Sequence, residues 1–411
     1  MTHPVANTSA AAASAEIPEF PMTRALGCPF DPPPALQAQA PISRVRLWDG
    51  STAWLVTGYD DQRALLADPR ISSDTTHPGY PHVSAGARER RKLARTFIFM
   101  DNPEHARLRR MVTAPFAIKR VETLRPAIQQ IVDELIDVML AMPKPVDLVE
   151  SFALPVPSRV ICELLGVPYA DHCFFQENSK ILINRDSPPK AVREAHFKLL
   201  TYLDALVTGK LANPGDDLLS RLAVEHVATG EISTHDAAVM GQLLLTAGHE
   251  TTANMIALGT LALLQHPDQL AALREVDDPT LTASAVEELL RYLTIVHSGR
   301  RRVARADIDI GGVVIRAGDG VILTNETANR DASVFPDPDR LDIHRDARKH
   351  IAFAFGMHQC LGQPLARVEL QVVYATLYRR IPTLRLAVDL DQVPFKHDGL
   401  VYGVYKLPVT W

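Results

Sequence analysis

Residues 352–367 read "AFAFGMHQCLGQPLAR". One cysteine, Cys360, stands between Gly356 and Gly362, with His358 two residues before it. A helix-forming run, "LARVELQVVYATLYRR", follows at once, so the cysteine occupies a glycine-lined bend where a helix begins. Most lone cysteines are small buried hydrophobes. A helix N-terminus offers another role. Its unpaired N–H groups and the positive end of its dipole favour thiolate over thiol. The thiolate is the form that attacks an electrophile or ligates a metal.

Outward from this bend the chain reads as mainly α with a small β-rich lobe. The segment "STHDAAVMGQLLLTAGHETTANMIALGTLALLQHP" starts with Ser233 and Asp236 in the pattern of an N-terminal cap and closes at Pro267. It predicts one helix far longer than the usual dozen or so residues. Because it is apolar on several sides, it should run through the interior. "ETLRPAIQQIVDELIDVMLAM", "DDLLSRLAVEHVA" and "SAVEELLRYLT" carry helical spacing too. Two hairpins are expected, "RVRLWDGSTAWLVT" turning at Asp49-Gly50 and "ADIDIGGVVIRAGDGVILT" bending at Gly311-Gly312. Residues 1–15 read as a disordered tail and 16–411 as a single domain.

The totals narrow the function. The 411 residues are 46% hydrophobic and 22% charged, and 43 basic against 48 acidic residues give a formal net charge of -5. That balance argues against an extended nucleic-acid surface. The four cysteines, Cys28, Cys162, Cys173 and Cys360, include no C-x-x-C pair, so neither a structural zinc site nor a disulfide framework is indicated. The first twenty residues lack the basic and apolar regions of a signal peptide, and no run of apolar residues is long enough for a membrane anchor. A cytoplasmic protein is expected.

Three further groupings carry chemistry. "AGHETT" (247–252) interrupts the long apolar helix with small and polar residues. Leu244, Ala247, Gly248 and Thr251 share a face, where Ala and Gly would admit a bulky flat group. Thr251 can bond back to a carbonyl one turn earlier, and Glu250 puts an acid in a stretch expected to be buried. Glu288 and Arg291 stand one turn apart, and His105 and Arg109 could clamp a carboxylate from one helix face.

For Cys360 itself, a nucleophile's role needs a positioned base and a group to orient it. Nothing near His358 supplies the rest of such a triad. Axial ligation of haem iron asks only for one cysteine, a tight loop to bring the backbone under the ring, and donors to the sulfur. Haem ligation is the better fit.

The bend resembles the haem-binding signature of the cytochrome P-450 monooxygenases, F-x-x-G-x-H-x-C-x-G, matching at Phe353, Gly356, His358, Cys360 and Gly362. Ala354 stands where the family often has glycine, a departure that should be tolerated. "AGHETT" is similar to the family's central-helix signature. Glu288 and Arg291 match its E-x-x-R pair, and "FPDPDRLDIHR" resembles the loop that completes that network through Arg340. His105 and Arg109 match its H-x-x-x-R. The likeness covers nearly the whole chain and is to actinomycete-type members.

The resemblance implies a P-450 fold with the long helix over haem b, and it implies roles. Cys360 would be the proximal thiolate, with Phe353 shielding it and Ala247 against the haem. His105, Arg109, Arg302 and His358 would neutralise the haem propionates, Arg301 being the alternative to Arg302. Glu250 and Thr251 would deliver protons, and Glu288, Arg291 and Arg340 would steady the haem loop. Phe97, Leu244, Ala247, Ile295, Val296, Leu400 and Val401 would line a pocket for a polyketide, terpenoid, steroid or xenobiotic. The basic run "ARERRKLAR" before Phe97 could meet an acidic group on it.

Dioxygen would be cleaved with electrons from a separate ferredoxin and its reductase, since no flavin or iron–sulfur segment is evident. The basic stretch "HRDARKH" (344–350) would steer that ferredoxin through Arg345 and Arg348. Two rivals stay open: a peroxygenase driven by hydrogen peroxide, and a haem sensor or ligand carrier without turnover.

Overall fold

A computed structural model describes residues 17–25, 27–93, 95–275 and 278–411; the expected tail over 1–15 lies outside them. Eight helices frame the site: α1 (Ala85–Leu93), α2 (Glu104–Met111), α3 (Arg125–Leu140), α4 (Pro155–Leu165), α5 (Pro189–Ala212), α6 (Thr234–Gln265), α7 (Pro279–Leu293) and α8 (Gln363–Arg380).

Helix α6 is the axis of the molecule. Its 32 residues begin at a complete capping box: Asp236 N–H donates to Ser233 Oγ at 3.1 Å, and Ser233 N–H donates to Asp236 Oδ2 at 2.9 Å. It packs against α4, α5 and α8, and its apolar residues are buried on all sides, as a core helix requires. Gly259 lets α8 come close: a Cβ there would stand 1.9 Å from Tyr374 Oη, which donates to the Met255 carbonyl at 2.6 Å. Gly248 serves the same purpose toward α4, where a Cβ would meet Ile161 at 2.7 Å. The sequence suggested that Gly248 leaves room for a flat group, but Ile161 fills that space.

The β-rich lobe is a five-stranded sheet. In chain order its strands are β1 (Ile42–Arg46), β2 (Thr52–Val56), β3 (Ile71–Ser72), β4 (Arg300–Ala304) and β5 (Gly320–Leu323), arranged β1-β2-β5-β4-β3. The first hairpin turns at Gly50, whose φ of +81° suits glycine. The second, Ile308–Ile310 against Val313–Ile315, bends at Gly311 and Gly312, both at positive φ, as their spacing predicts. In β4, Arg300 pairs with Leu323 and Arg302 with Val321 across β5, so the two arginines share one sheet face and Arg301 takes the other. Among the described residues no helix is long and apolar enough to cross a membrane.

Candidate active site

The bend around Cys360 is shaped before it is functional. Gly356 adopts φ +75°, and a Cβ on it would stand 2.4 Å from the Leu66 carbonyl oxygen, so only glycine fits. Ala354 takes the left-handed region as well, at φ +63°, although it has a Cβ. Cys360 N–H donates to the Phe353 carbonyl at 2.9 Å and closes the loop. The sulfur receives the Gly362 N–H. Cys360 therefore lies two residues upstream of Gly362, the N-cap of α8, rather than in the helix itself. Burial pushes its thiol up, opposed by the nearby Arg300 guanidinium, the Gly362 N–H and Arg109.

Cys360 opens onto a cavity of about 460 Å³ between the bend, α6 and β4. Phe97, Leu244, Ala247, Ile295, Val296, Leu400 and Val401 all line it. So do Glu250, Thr251, Phe353, His358 and Gly362. Of the four cysteines it alone faces this cavity.

One end of the cavity gathers basic side chains. His105 and Arg109 project from α2, Arg300 and Arg302 from β4, and His358 from the bend. The His105 and His358 rings are 4.1 Å apart. Arg109 donates to the Gln359 carbonyl at 2.7 Å, and Arg302 to the Arg301 carbonyl at 2.8 Å. His105 Nε2, His358 Nδ1 and Arg300 Nε are buried without a hydrogen-bond partner. Burial, then Arg302, His105 and Arg109, hold the His358 imidazole at about 3, so it stays neutral. Burial lowers Arg300 to about 10. A buried guanidinium N–H left unpaired, as at Arg300 Nε, is costly unless an anion meets it.

A flat cofactor that takes a cysteine ligand and carries two carboxylates would fit these residues together. The sequence missed Arg300, which period-two alternation on β4 would have placed beside Arg302. It also missed Glu369 on α8, whose buried Oε2 has no partner and whose carboxyl burial pushes up to about 8.

Along α6, Thr251 Oγ1 donates to the Ala247 carbonyl at 2.8 Å. Glu250 is buried, as its place on the helix predicts. Its carboxylate lies 3.9 Å from Lys396 Nζ and 3.9 Å from His249 Nε2.

The loop network differs in one member. Glu288 and Arg291 are fully buried and paired through two bonds of 2.7 and 2.8 Å. Arg340 contributes only its carbonyl, which accepts from Arg291 at 3.3 Å; its side chain is exposed. The second guanidinium is that of Arg345, 3.2 Å from Glu288 and bonded to the Pro336, Asp337 and Arg340 carbonyls. Of the two arginines read as steering a ferredoxin, Arg345 is therefore unavailable, while Arg348 stays exposed. Arg345 turns inward, His350 is buried against Glu287, and Arg348 is paired with Asp346.

A long central helix over a cavity closed by a cysteine-bearing bend defines a haem-thiolate protein. The comparisons agree: the "Cytochrome P450" family model matches residues 210–383. The chain is 58% identical to "Cytochrome P450 GfsF" of Streptomyces halstedii over 96% of this chain and 97% of that one. It is 55% identical to "Cytochrome P450-SU2" of Streptomyces griseolus over 95% and 96%. The crystal structure of GfsF superposes with a TM-score of 0.90, covering 96% of this chain and all of that one. A hydroxylase from Micromonospora griseorubida bound to mycinamicin VIII superposes at 0.89 with 42% identity, covering 96% and 100%. The chain belongs to the cytochrome P450 family and is a monooxygenase that uses haem with cysteine thiolate ligation.

Proposed function

We propose that the enzyme hydroxylates a hydrophobic natural product, of the polyketide, terpenoid or steroid kind, or a xenobiotic of similar size, with electrons from a ferredoxin and its reductase. The reaction balances as one C–H bond and one dioxygen, with two electrons and two protons, giving a C–OH group and water. Haem supplies the dioxygen activation, and the electron-rich thiolate favours O–O cleavage.

Cys360 is the residue to hold the iron, held in turn by its N–H bond to Phe353 and by the Gly362 N–H on sulfur. His105, Arg109, Arg300, Arg302 and His358 would meet the two propionates, which gives the orphaned donors at that end their partners. Their position with respect to β4 favours Arg302 over Arg301 for that role. Thr251 commits its proton to Ala247 and keeps its oxygen lone pairs for a bound water. Glu250 can take protons through Lys396, whose side chain is 16% exposed, and pass them to that water. The apolar lining from Phe97 to Val401 keeps bulk water away from the reacting carbon.

The observation that carries this reading is the pairing, in one cavity, of Cys360 with the acid–alcohol pair Glu250 and Thr251. Relatives lend support for the substrate class: one is named pentalenic acid synthase, and one structure is titled a mycinamicin C21 methyl hydroxylase. The test is product formed per NADH consumed, with ferredoxin and reductase, for the wild type, T251A and E250Q. A large loss in product per NADH is expected in both variants, since a proton-transfer group is typically worth about 10²–10⁴-fold. Peroxide-driven turnover far above the ferredoxin-driven rate, untouched by either change, would favour the peroxygenase instead. Binding of haem and ligands with no product under any donor would favour the carrier.

A further inference from the structure

The cavity holds a second set of cations that the haem does not need. Arg90 and Arg91 project from α1 and Arg301 from the face of β4 opposite Arg300 and Arg302; all three border the cavity. Arg90 donates one N–H to the Leu182 carbonyl, while its Nε is buried without a partner. Arg301 Nε is likewise buried and unpartnered. The Arg91 guanidinium lies 3.3 Å from the Phe99 ring centroid, stacked on the cavity wall.

Among the described residues no carboxylate pairs with them. Glu89, next in sequence, turns outward to Arg193 at 2.8 Å and to Lys92. Asp74 pairs with Arg95 at 2.8 Å. Asp101 is taken by Ser72, Ser73 and Arg305. His82 adds no anion and is held neutral, at about 4, by burial and by Arg301. Burial and the Arg301 charge lower Arg90 only to about 10, so it stays a cation at neutral pH.

Three guanidinium groups crowded without a counter-ion repel one another and lose hydration. Such an arrangement persists at a functional site when the missing charge arrives with a ligand. The residues proposed to hold the propionates, Arg300 and Arg302 among them, lie on the other face of β4. The remaining lining includes the apolar Phe97, Ile98, Phe99, Leu182 and Leu400, with Tyr80 and His196 as polar neighbours that carry no carboxylate.

We infer that Arg90, Arg91 and Arg301 form a binding site for a carboxylate on an otherwise hydrophobic substrate, anchoring its charged end so that its apolar body extends toward the haem. The inference rests on the monooxygenase reading for what happens to that body, and not for the binding itself. Guanidinium forks suit a carboxylate, which they hold through paired N–H donors. The site selects acids over their neutral esters.

The test uses haem-loaded enzyme and matched probes, the even-chain acids from octanoate to hexadecanoate and their methyl esters. Binding is read twice, by isothermal titration calorimetry and by the shift of the Soret band. At least one acid should bind about tenfold or more tighter than its ester, the scale of a charge-assisted hydrogen bond. R91Q and R301Q should each remove most of that preference while ester affinity and the resting Soret band stay as in the wild type. Equal affinity for acid and ester in the wild type overturns the inference. So do variants that weaken both probes alike, or an absence of binding by every acid. Product formation is scored separately. Acid-selective binding without hydroxylation upholds this site and counts against the proposed hydroxylation of such substrates, and hydroxylation without acid selectivity does the reverse.

Discussion

Glu288→Gln is the most informative single change outside the haem cavity. Glu288 is completely buried and accepts four bonds: 2.7 and 2.8 Å from Arg291, 3.2 Å from Arg345 and 2.9 Å from the Asp342 N–H. Glutamine keeps the shape, removes the charge and leaves two guanidinium groups facing a neutral amide. Breaking a buried pair from one side costs about 3–5 kcal/mol. Unfolding entropy of about 2.1 cal/mol/K per residue over 411 residues gives about 0.9 kcal/mol/K, so the midpoint should fall by about 3–6 °C.

Arg345→Ala leaves the two Glu288–Arg291 bonds intact and removes one bond to Glu288 with those to the loop carbonyls. About 2 kcal/mol, or about 2 °C, is expected. Arg348→Ala removes an ion pair whose partners are 80% and 65% exposed and should not move the midpoint measurably. The assay is calorimetry of the haem-loaded protein at two scan rates, because unfolding of a cofactor protein is often irreversible. Ferredoxin reduction rates are measured in parallel. A Glu288→Gln midpoint within 1 °C of wild type would refute the energetics. An unshifted Arg345→Ala protein that is reduced slowly would refute the inward placement of Arg345 and restore its role in docking.

Two other expectations concern the same loop. Gly356→Ala imposes a left-handed alanine and drives its methyl toward the Leu66 carbonyl, so a loss of about 3 kcal/mol and weaker haem retention are expected in thermal melts. Ala354→Gly should leave the midpoint nearly unchanged, since relief at φ +63° is offset by a lost buried methyl and a freer unfolded chain. Glu287 gives the pH dependence. Burial raises its carboxyl, but the hydrogen bonds from His350 and from Arg367, at 3.0 and 2.6 Å, outweigh it and hold the group at about 2. A carboxylate depressed on folding stabilises the protein above its unfolded value near 4.5. That contribution, about 3 kcal/mol, is lost as pH falls from about 5 toward 2. Melts across that range should show a shallower decline for Glu287→Gln than for wild type, and parallel curves would refute the pairing.

How far the sequence reaches depends on which interactions are local. The capping box at Ser233 and Asp236, the glycine turns at 50 and 311–312 and the bend at Gly356 are written within a few residues, and the structure has them where the spacing predicts. The cavity lining was legible too, because an apolar face on one long helix and the apolar ends of loops have few other places to go. Side-chain direction on irregular backbone is another matter. Arg345 and Arg348 look alike in a basic stretch, yet one is drawn inward by Glu288, 57 residues away, and the other stays with its neighbour Asp346. Arg340 fits the motif by position, but it is its carbonyl that the network uses.

The three arginines of β4 show where the missing information lay. Their run is one block of charge in the sequence; on a strand it must split between two faces. Arg300 and Arg302 then fall with His105, Arg109 and His358, while Arg301 falls with Arg90 and Arg91 from a helix more than two hundred residues earlier. Period two alone gives the split. What each face meets is fixed only when α1, α2 and the cysteine bend close around the same strand, so one charge cluster in the sequence is divided between two separate groupings of basic side chains.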